Sequence, residues 1–516
     1  MLRLAASAIR RSISFTGTID RYAACKDKKI TDKLYDVAVI GGGSGGISCA
    51  NQAAKLGLDV AIFDFVDPSP HGSHWGLGGT CVNVGCIPKK LFHHAAYLRE
   101  QLMMAQDYGF KFDGAKVPFD WKSLTSNVQS HILRSNYELN LGLADNNVNY
   151  INCLASLSNA NEIVYSPDKD QIEHFTQTQT IKDTEKAGKL KAKYIVVAVG
   201  GRPKVLTEDE MPGAQYVITS DDIFNMKTEP GKTLMLGAGY IAIECGTFLH
   251  LLGYPTTIIA RSTMLRAFDS EVVNYLRQSM QKMDFDLREG TMLKTIKKTA
   301  DGRLEAEIAS SSTKEVLSRE VFDTIAAAIT RYPVTQLLNL KQVGVDSHTD
   351  SRKILGGSNG EPDLTTVDTI YAIGDVLEGA PELTPTAIKN GVAVANKIFK
   401  KLNGQKITAK DSVNFTCYPT TVFSYPEYST VGLSEADAIK KFGKDKVNVY
   451  HLQSTPLEEE LISRTFPKDD ENELKIKSYF KVVSLAESEE ILGLHYLGLH
   501  AGEVMQGFAV RASNFR

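Results

Sequence analysis

Two cysteines five positions apart are the residues with the clearest capacity for chemistry. Cys81 and Cys86 lie in the segment GGTCVNVGCIPKK, residues 78–90. On a regular helix their side chains would point about 140° apart, with a rise of about 7.5 Å. A disulfide needs Cα atoms within about 7 Å of each other. A bond between these two cysteines therefore requires a distorted turn, which Asn83 and Gly85 would ease.

Redox chemistry is the favoured interpretation of this pair. Lys89 and the N-terminus of a helix that begins near Pro88 would favour thiolate over thiol, which raises reactivity. A zinc site lacks a second pair of ligands nearby, so no metal is expected. Structural or free thiols are the alternative, and a structural disulfide is disfavoured in a reducing compartment. The remaining cysteines are scattered and are interpreted as ordinary thiols: Cys25, Cys49, Cys153, Cys245 and Cys417.

A glycine-rich turn between a β-prone run and a helical stretch is typical of a dinucleotide site. The motif GxGxxG consists of Gly41, Gly43 and Gly46, with Ser44 and Gly45 inside it. These glycines permit a tight turn, close approach to a pyrophosphate and close helix–strand packing, while the helix N-terminus faces the phosphate charge. Asp64 ends the next predicted strand, residues 60–63, where an acid can bind a ribose 2′-hydroxyl. The alternative, a chance glycine-rich turn, is disfavoured by this context.

A second motif of the same kind, GxGxxA, predicts a second nucleotide. Its residues are Gly237, Gly239 and Ala242. No acid stands at the position equivalent to Asp64; Arg261 and Arg266 follow instead. A carboxylate would repel a 2′-phosphate, whereas Arg can bind one. FAD at the first motif and NADPH at the second fit this difference, although either Arg could simply be a solvated surface residue.

The elements that must position these residues indicate an α/β fold with three kinds of unit. Strand, glycine turn, helix and strand follow one another around residues 35–63 and again around residues 233–259. Residues 411–500 alternate apolar and polar positions in short runs, which favours an antiparallel sheet with helices. We therefore predict two Rossmann-like dinucleotide-binding domains, for FAD and NADPH, plus a C-terminal α+β interface domain.

Composition excludes several other classes of protein. The chain has 516 residues, 43% apolar and 23% charged, which is typical of globular domains. The formal net charge of −3 and the pI near 6.4 give no overall basic footprint for nucleic acid. Mean hydropathy is −0.17, and no apolar run approaches the roughly 18 residues of a membrane span. Neither nucleic acid nor a membrane is therefore expected as a partner.

The N-terminus has the composition of a mitochondrial transit peptide. Arg3, Arg10 and Arg11 alternate with Ser and apolar residues, and the first acid is Asp20. Basic, Ser-rich, acid-free and amphipathic segments are typical of such peptides. We expect residues 1–33 to be transit peptide and linker, which implies the mitochondrial matrix; a disordered tail is the alternative.

With these motifs in place, the sequence resembles the pyridine nucleotide–disulfide oxidoreductases, most closely the large animal-type thioredoxin reductases. The run Trp75-Gly76-Leu77-Gly78-Gly79 before the cysteine pair is similar to that subgroup rather than to glutathione reductase or dihydrolipoamide dehydrogenase. The resemblance implies a flavoprotein homodimer that reduces thioredoxin or another small disulfide with NADPH. The implied domains are FAD-binding at 34–205 and 325–405, NADPH-binding at 206–324 and interface at 406–516.

The resemblance also implies roles for individual residues. Cys86 would be the thiolate against the flavin and Cys81 the interchange thiol. Lys89 would pair with Glu244 near the flavin ring, and Tyr240 would be a gate that moves aside for nicotinamide. Asp375 would bind the flavin ribityl chain, and Thr80 and Thr384 would add flavin contacts. The other residues implied in cofactor binding are Gly79, Gly200, Ile241 and Arg331.

The sequence departs from the family pattern after residue 500. The family continues with a His–Pro segment, a downstream Glu and a tail carrying a second redox pair, whereas here no His follows His500 and no Cys follows Cys417. We therefore expect a C-terminally incomplete interface domain, poor thioredoxin turnover and weaker dimerisation. Thr330 stands where the family usually has Gly. Glutathione reductase, a flavin diaphorase and a truncated FAD-binding regulatory isoform are the alternatives.

Overall fold

The computed structural model describes residues 33–181, 187–415, 418–462 and 478–512. Apart from Lys33, the expected transit segment lies outside the described residues. The α-helices are Ser44–Lys55 (α1), Gly79–Val84 (α2), Cys86–Met104 (α3), Trp121–Asp145 (α4), Lys169–Thr178 (α5), Ser220–Ile223 (α6), Tyr240–Leu251 (α7), Ser270–Lys282 (α8), Leu340–Val343 (α9), Thr384–Leu402 (α10), Glu435–Phe442 (α11) and Ala501–Ala512 (α12). Among these helices, none is long and apolar enough to cross a membrane.

Twenty-two strands are described, and they fall into five sheets. They are Leu34–Ile40 (β1), Val60–Asp64 (β2), Asn149–Asn152 (β3), Leu154–Asn159 (β4), Glu162–Ser166 (β5), Gly188–Val197 (β6), Gly201–Pro203 (β7), Ile218–Thr219 (β8), Thr233–Leu236 (β9), Thr256–Ala260 (β10), Asp286–Glu289 (β11), Thr291–Lys298 (β12), Leu304–Ser310 (β13), Val316–Phe322 (β14), Thr324–Ala327 (β15), Arg331–Pro333 (β16), Ile370–Ala372 (β17), Thr420–Val422 (β18), Glu427–Gly432 (β19), Val447–Ser454 (β20), Ser478–Leu485 (β21) and Ile491–Gly498 (β22).

The first sheet contains the first glycine turn. Its strand order is β3-β2-β1-β6-β5-β4, with β17 beside β6. The central strands pair in parallel and are buried on both faces, which explains the continuous apolar run Val37–Ile40. Helices α1 and α10 pack against each other. A Cβ at Gly391 would lie 2.3 Å from the carbonyl oxygen of Gly45, so glycine allows these two helices to approach closely.

The second sheet contains the second glycine turn. It is parallel throughout, in the order β11-β10-β9-β15-β8. An antiparallel sheet of β12, β13 and β14 is inserted along the chain between β11 and β15 of this sheet. Because β15 pairs with β9, the second sheet continues to Ala327, past the expected boundary at residue 324. The chain passes between the first and second sheets along the antiparallel pair β7 and β16.

The C-terminal sheet is antiparallel, in the order β18-β19-β22-β21-β20. Helix α12 packs on β19 and β22, where it buries Val431. Tyr428 and Leu497 are buried on the opposite face of the sheet. The predicted fold class is confirmed: a mixed sheet with a parallel centre and an all-parallel sheet, each with a strand–turn–helix unit, are followed by a separate α+β unit.

Candidate active site

A cavity of about 920 Å³ extends along the first glycine turn to the cysteine pair and the start of α7. Most of the residues singled out in the sequence line it. They are Gly41, Gly43, Ser44, Gly45, Asp64, Gly79, Thr80, Cys81, Cys86, Lys89, Gly200, Tyr240, Ile241, Glu244, Arg331, Asp375 and Thr384. The fold therefore brings together side chains as far apart in the sequence as Ser44 and Thr384.

The cysteine pair spans a break between two helices. Helix α2 ends at Val84, and α3 begins at Cys86. Between them Gly85 has φ −133° and ψ −116°, which is not helical. A Cβ at Gly85 would lie 2.9 Å from the carbonyl oxygen of Thr80, so this turn requires glycine. The distorted turn expected between the cysteines is present, and both are free thiols in this structure.

The two thiols have opposite tendencies to ionise. The hydrogen bond from Cys81, the nearby Thr384 hydroxyl and the charge of Lys89 together lower the pKa of Cys86 to about 6, against the effect of burial. The same thiol–thiol hydrogen bond and burial raise the pKa of Cys81. The Cys86 sulfur lies 3.5 Å from Thr384 Oγ1. At neutral pH the pair therefore carries its negative charge on Cys86.

Lys89 and Glu244 form an ion pair beside the thiols. Lys89 Nζ lies 2.8 Å from Glu244 Oε1, and the Glu244 side chain is only 2% exposed. Lys89 comes from α3, one turn after Cys86, and Glu244 comes from α7. The predicted pairing is thus observed, and it joins the unit of the first sheet to the unit of the second.

The first glycine turn has the strained geometry that a close phosphate approach requires. Gly41 has φ +117°, and a Cβ there would lie 2.2 Å from the carbonyl oxygen of Ala198. A Cβ at Gly46 would lie 1.9 Å from the carbonyl oxygen of Gly41. Asp64 Oδ1 accepts a hydrogen bond from the backbone N–H of Gly42 at 2.9 Å. Burial raises the pKa of Asp64 to about 6, against these backbone hydrogen bonds.

The second glycine turn repeats this backbone geometry. Gly237 has φ +125°, and a Cβ there would lie 2.4 Å from the carbonyl oxygen of Ala328. At Gly239 a Cβ would meet no described atom within 4 Å, which leaves open space at the N-terminus of α7. Arg261 and Arg266 are exposed beyond the end of β10. Of the predicted site residues, the cavity lining leaves out Gly46, Gly237, Gly239, Arg261 and Arg266.

Two further predicted residues line the cavity, Arg331 and Asp375. Arg331 donates to the carbonyl oxygen of Gly201 at 2.7 Å and lies 3.5 Å from Thr80 Oγ1. Asp375 lies in the turn Gly374–Val376. Burial and the charge of Glu382 raise the pKa of Asp375 to about 6, and the charge of Arg331 opposes this shift.

Some residues of this region were not found from the sequence. Arg202 pairs with the buried Asp221 at 2.8 Å, and its guanidinium lies 4.5 Å from the ring centroid of Trp75. Phe423, after β18, donates its backbone N–H to Glu244 Oε1 at 2.9 Å. No local motif marks these residues, because each contact joins separate parts of the chain.

The residues present fit dinucleotides at both turns. Each turn combines a positive-φ glycine, a helix N-terminus and backbone space that a side chain would fill. An acid ends the strand after the first turn, and arginines follow the strand after the second. Together with a dithiol between the turns, this arrangement defines an oxidoreductase that couples nucleotide cofactors to a disulfide.

Comparison with known proteins agrees with this class. A model for "Pyridine nucleotide-disulphide oxidoreductase" matches residues 35–391, and one for the dimerisation domain of the same proteins matches residues 418–514. The chain belongs to the pyridine nucleotide-disulphide oxidoreductase family, and its cofactors are FAD and NADPH.

The similar proteins are thioredoxin reductases. The chain is 39% identical over 476 residues to thioredoxin reductase 2, mitochondrial, of Drosophila melanogaster, covering 92% of this chain and 85% of the fly protein. It is 37% identical over 484 residues to a thioredoxin reductase of Plasmodium falciparum (isolate FCH-5), covering 92% and 83% respectively.

Proposed function

We propose that this chain is an NADPH-dependent flavoprotein thioredoxin reductase. It would take two electrons from NADPH through FAD to the Cys81–Cys86 disulfide and on to thioredoxin or another small disulfide. The observation that carries the proposal is the polarised thiol pair: Cys86 ionises readily beside the Lys89–Glu244 ion pair. The names of the similar proteins support thioredoxin as the substrate.

The cofactors have distinct places in the proposal. The first turn and Asp64 would hold FAD, with Thr80, Gly200, Arg331, Asp375 and Thr384 along the same cavity. The second turn, Arg261 and Arg266 would hold NADPH, with Tyr240 and Ile241 at the N-terminus of α7. Bound FAD supplies a two-electron carrier between nicotinamide and a disulfide.

The chain's own residues divide the thiol chemistry between them. Reduction of the disulfide by two electrons and two protons gives the dithiol, which loses one proton to leave Cys86 as the thiolate. Cys81 would attack the substrate disulfide while its proton passes to its hydrogen-bond partner, the Cys86 thiolate; the substrate S–S bond breaks, one substrate thiolate leaves and a mixed disulfide with Cys81 forms. The proton then passes from Cys86 to the departing thiolate, and the Cys86 thiolate attacks the Cys81 sulfur, which re-forms the Cys81–Cys86 disulfide and releases the second substrate thiolate to take a proton from solvent. Lys89 compensates the negative charge in this region, and Glu244 orients Lys89.

Assembly and location are part of the same proposal. The dimerisation-domain match over residues 418–514 supports a homodimer. The basic N-terminal segment and the mitochondrial fly relative support the mitochondrial matrix.

The test is NADPH oxidation by the purified FAD-loaded protein with three acceptors in parallel: thioredoxin, oxidised glutathione and a small disulfide dye. We expect NADPH to bleach the flavin and thioredoxin to be reduced. Cys81→Ser and Cys86→Ser should abolish disulfide turnover, whereas Cys49→Ala, a buried thiol outside the cavity, should leave it intact. Preference for glutathione, or full turnover in either site variant, would overturn the proposal.

A further inference from the structure

Phe423 lies where three units of the molecule meet. It follows β18 of the C-terminal sheet. Its neighbours are Lys89 on α3 and Glu244 on α7, which belong to the units of the first and second sheets. The ion pair beside the thiols is therefore completed by a residue of the third unit.

The ring of Phe423 lies against two ammonium groups. Lys89 Nζ is 4.6 Å from the ring centroid, and Lys90 Nζ is 4.0 Å from it. A cation near an aromatic face is attracted to the negative ring face, more strongly when water is excluded. The Lys89 side chain is only 14% exposed, so the ring replaces part of the hydration that Lys89 lacks.

The backbone of Phe423 holds the other member of the pair. Its N–H donates to Glu244 Oε1 at 2.9 Å, the same oxygen that Lys89 approaches at 2.8 Å. This charge-assisted bond fixes the carboxylate that Lys89 faces. One residue thus contacts both the cation and the anion.

A second polar group, formed by Glu427, His93 and Lys90, lies next to Phe423. Glu427 accepts from His93 Nε2 at 3.1 Å and lies 3.7 Å from Lys90 Nζ. Burial opposes the charge on Glu427, but the His93 hydrogen bond and the Lys90 charge keep the pKa of its carboxyl below the ordinary value. The His93 ring centroid lies 5.5 Å from that of Phe423. These contacts therefore hold helix α3 against the C-terminal sheet next to the Phe423 ring.

We propose that Phe423 is a positioning residue for the redox pair. Its ring and its backbone N–H hold Lys89 and Glu244 in place. Docking of the C-terminal sheet therefore places the Lys89 ammonium that stabilises the Cys86 thiolate. This inference rests on the proposed function and adds to it a link between the dimerisation region and thiol reactivity. Without the ring, Lys89 gains freedom to move away from the thiols into the cavity.

The consequence for Cys86 is a loss of stabilisation of its charged form. Within the described residues, the ionisable groups that act on Cys86 directly are Cys81 on α2, Lys89 on its own helix and Glu244 on α7; Thr384 on α10 adds a hydroxyl. Ionisable groups also line the rest of the cavity: Asp64, Asp67, Cys153, Lys169, Glu173, Arg202, Lys204, Glu210, Asp221, Tyr240, Cys245, Arg331, Tyr332, Arg352, Asp375 and Glu382. Of these groups, Phe423 touches Lys89 and Glu244, so its loss should act on Cys86 through that pair.

The test compares Phe423→Leu, which removes the ring, with Phe423→Tyr, which keeps it. In the reduced FAD-loaded protein, the pH dependence of the long-wavelength thiolate–flavin absorbance and of Cys86 alkylation gives the apparent pKa. We expect Phe423→Leu to raise it by about 0.3 to 0.7 unit, given the usual strength of a cation–ring contact. Phe423→Tyr should keep the wild-type value. Phe480→Leu, in the same sheet against Tyr496, is the matched control and should also leave it unchanged.

Two results would overturn the inference: an unshifted pKa in Phe423→Leu, or equal shifts in the Leu and Tyr variants. If Phe423→Leu does not fold, pentafluorophenylalanine at position 423 keeps the shape of the ring and reverses its charge distribution, and it should give the same upward shift. If the proposed function itself is wrong, the same measurements give a different result. Wild-type protein would then show no thiolate–flavin band and an ordinary Cys86 pKa, and both ideas would fall together.

Discussion

The two thiols of this site differ in pKa because their surroundings differ. Cys86 accepts a hydrogen bond from the Cys81 thiol, lies near the Thr384 hydroxyl and feels the charge of Lys89. Cys81 donates a hydrogen bond to Cys86, and this bond and burial together raise the pKa of Cys81. The asymmetry is therefore a property of side chains from three helices, and it does not follow from the two cysteines alone.

Thr384 should make a measurable contribution to this asymmetry. Alkylation follows the thiolate fraction, so in the dithiol protein the Cys86 rate should be half-maximal near pH 6 and level above it. Thr384→Val keeps the shape and removes the hydroxyl 3.5 Å from the sulfur. The thiolate loses a hydrogen bond, so the pKa should rise by about 0.5 to 1 unit. Mass-spectrometric alkylation profiles test this, with Thr176→Val on helix α5, a position that does not line the cavity, as the control.

At the scale of elements, the helix break at Gly85 is what allows the two cysteines to meet. Gly85→Ala would place a Cβ 2.9 Å from the Thr80 carbonyl oxygen and 3.2 Å from Cys81 Cα. We expect the turn to shift and Cys81–Cys86 disulfide formation to fail, as measured by thiol counting after oxidation. Gly142→Ala on α4 is the matched control, because a Cβ there meets nothing within 4 Å. It should stabilise that helix by about 1 kcal/mol and leave the thiols unaffected. Normal oxidation of the Gly85 variant would contradict this account of the turn.

Elements with strong local signals could be predicted from the sequence, and contacts between units could not. The predicted strands at 60–63 and 256–259 are observed as Val60–Asp64 and Thr256–Ala260, because buried parallel strands appear as unbroken apolar runs. Resemblance to the family supplied the pairing of Lys89 with Glu244. Phe423 was missed because its contact with Glu244 spans 179 positions and depends on how the C-terminal sheet docks.

At the scale of the whole molecule, a buried cation joins the unit of the second sheet to the C-terminal sheet. Lys481 on β21 is 1% exposed, and its Nζ contacts three carboxylates, at 3.0 Å from Asp269, 2.7 Å from Glu271 and 2.7 Å from Glu435. Asp269 also caps α8 and accepts from the backbone N–H of Glu435 at 3.0 Å. One buried ammonium therefore fixes the position of the nucleotide-binding unit of α7 and α8 against the sheet that carries Phe423.

Removing the Lys481 ammonium should lower the free energy of unfolding more than removing an exposed ammonium does. Lys481→Met leaves three carboxylates facing one another with no cation between them, and Asp269 is buried, so we expect a loss of about 3 kcal/mol or more. Lys193→Met breaks an exposed pair with Asp36, whose side chains are 46% and 20% exposed, and should cost less than about 1 kcal/mol. Thermal melting followed by flavin release, together with limited proteolysis between the units, measures the difference. Because Phe423 contacts Lys89 and Glu244 from the same sheet, Lys481→Met should also shift the Cys86 alkylation profile to higher pH. Equal melting of the two variants would contradict this role of Lys481.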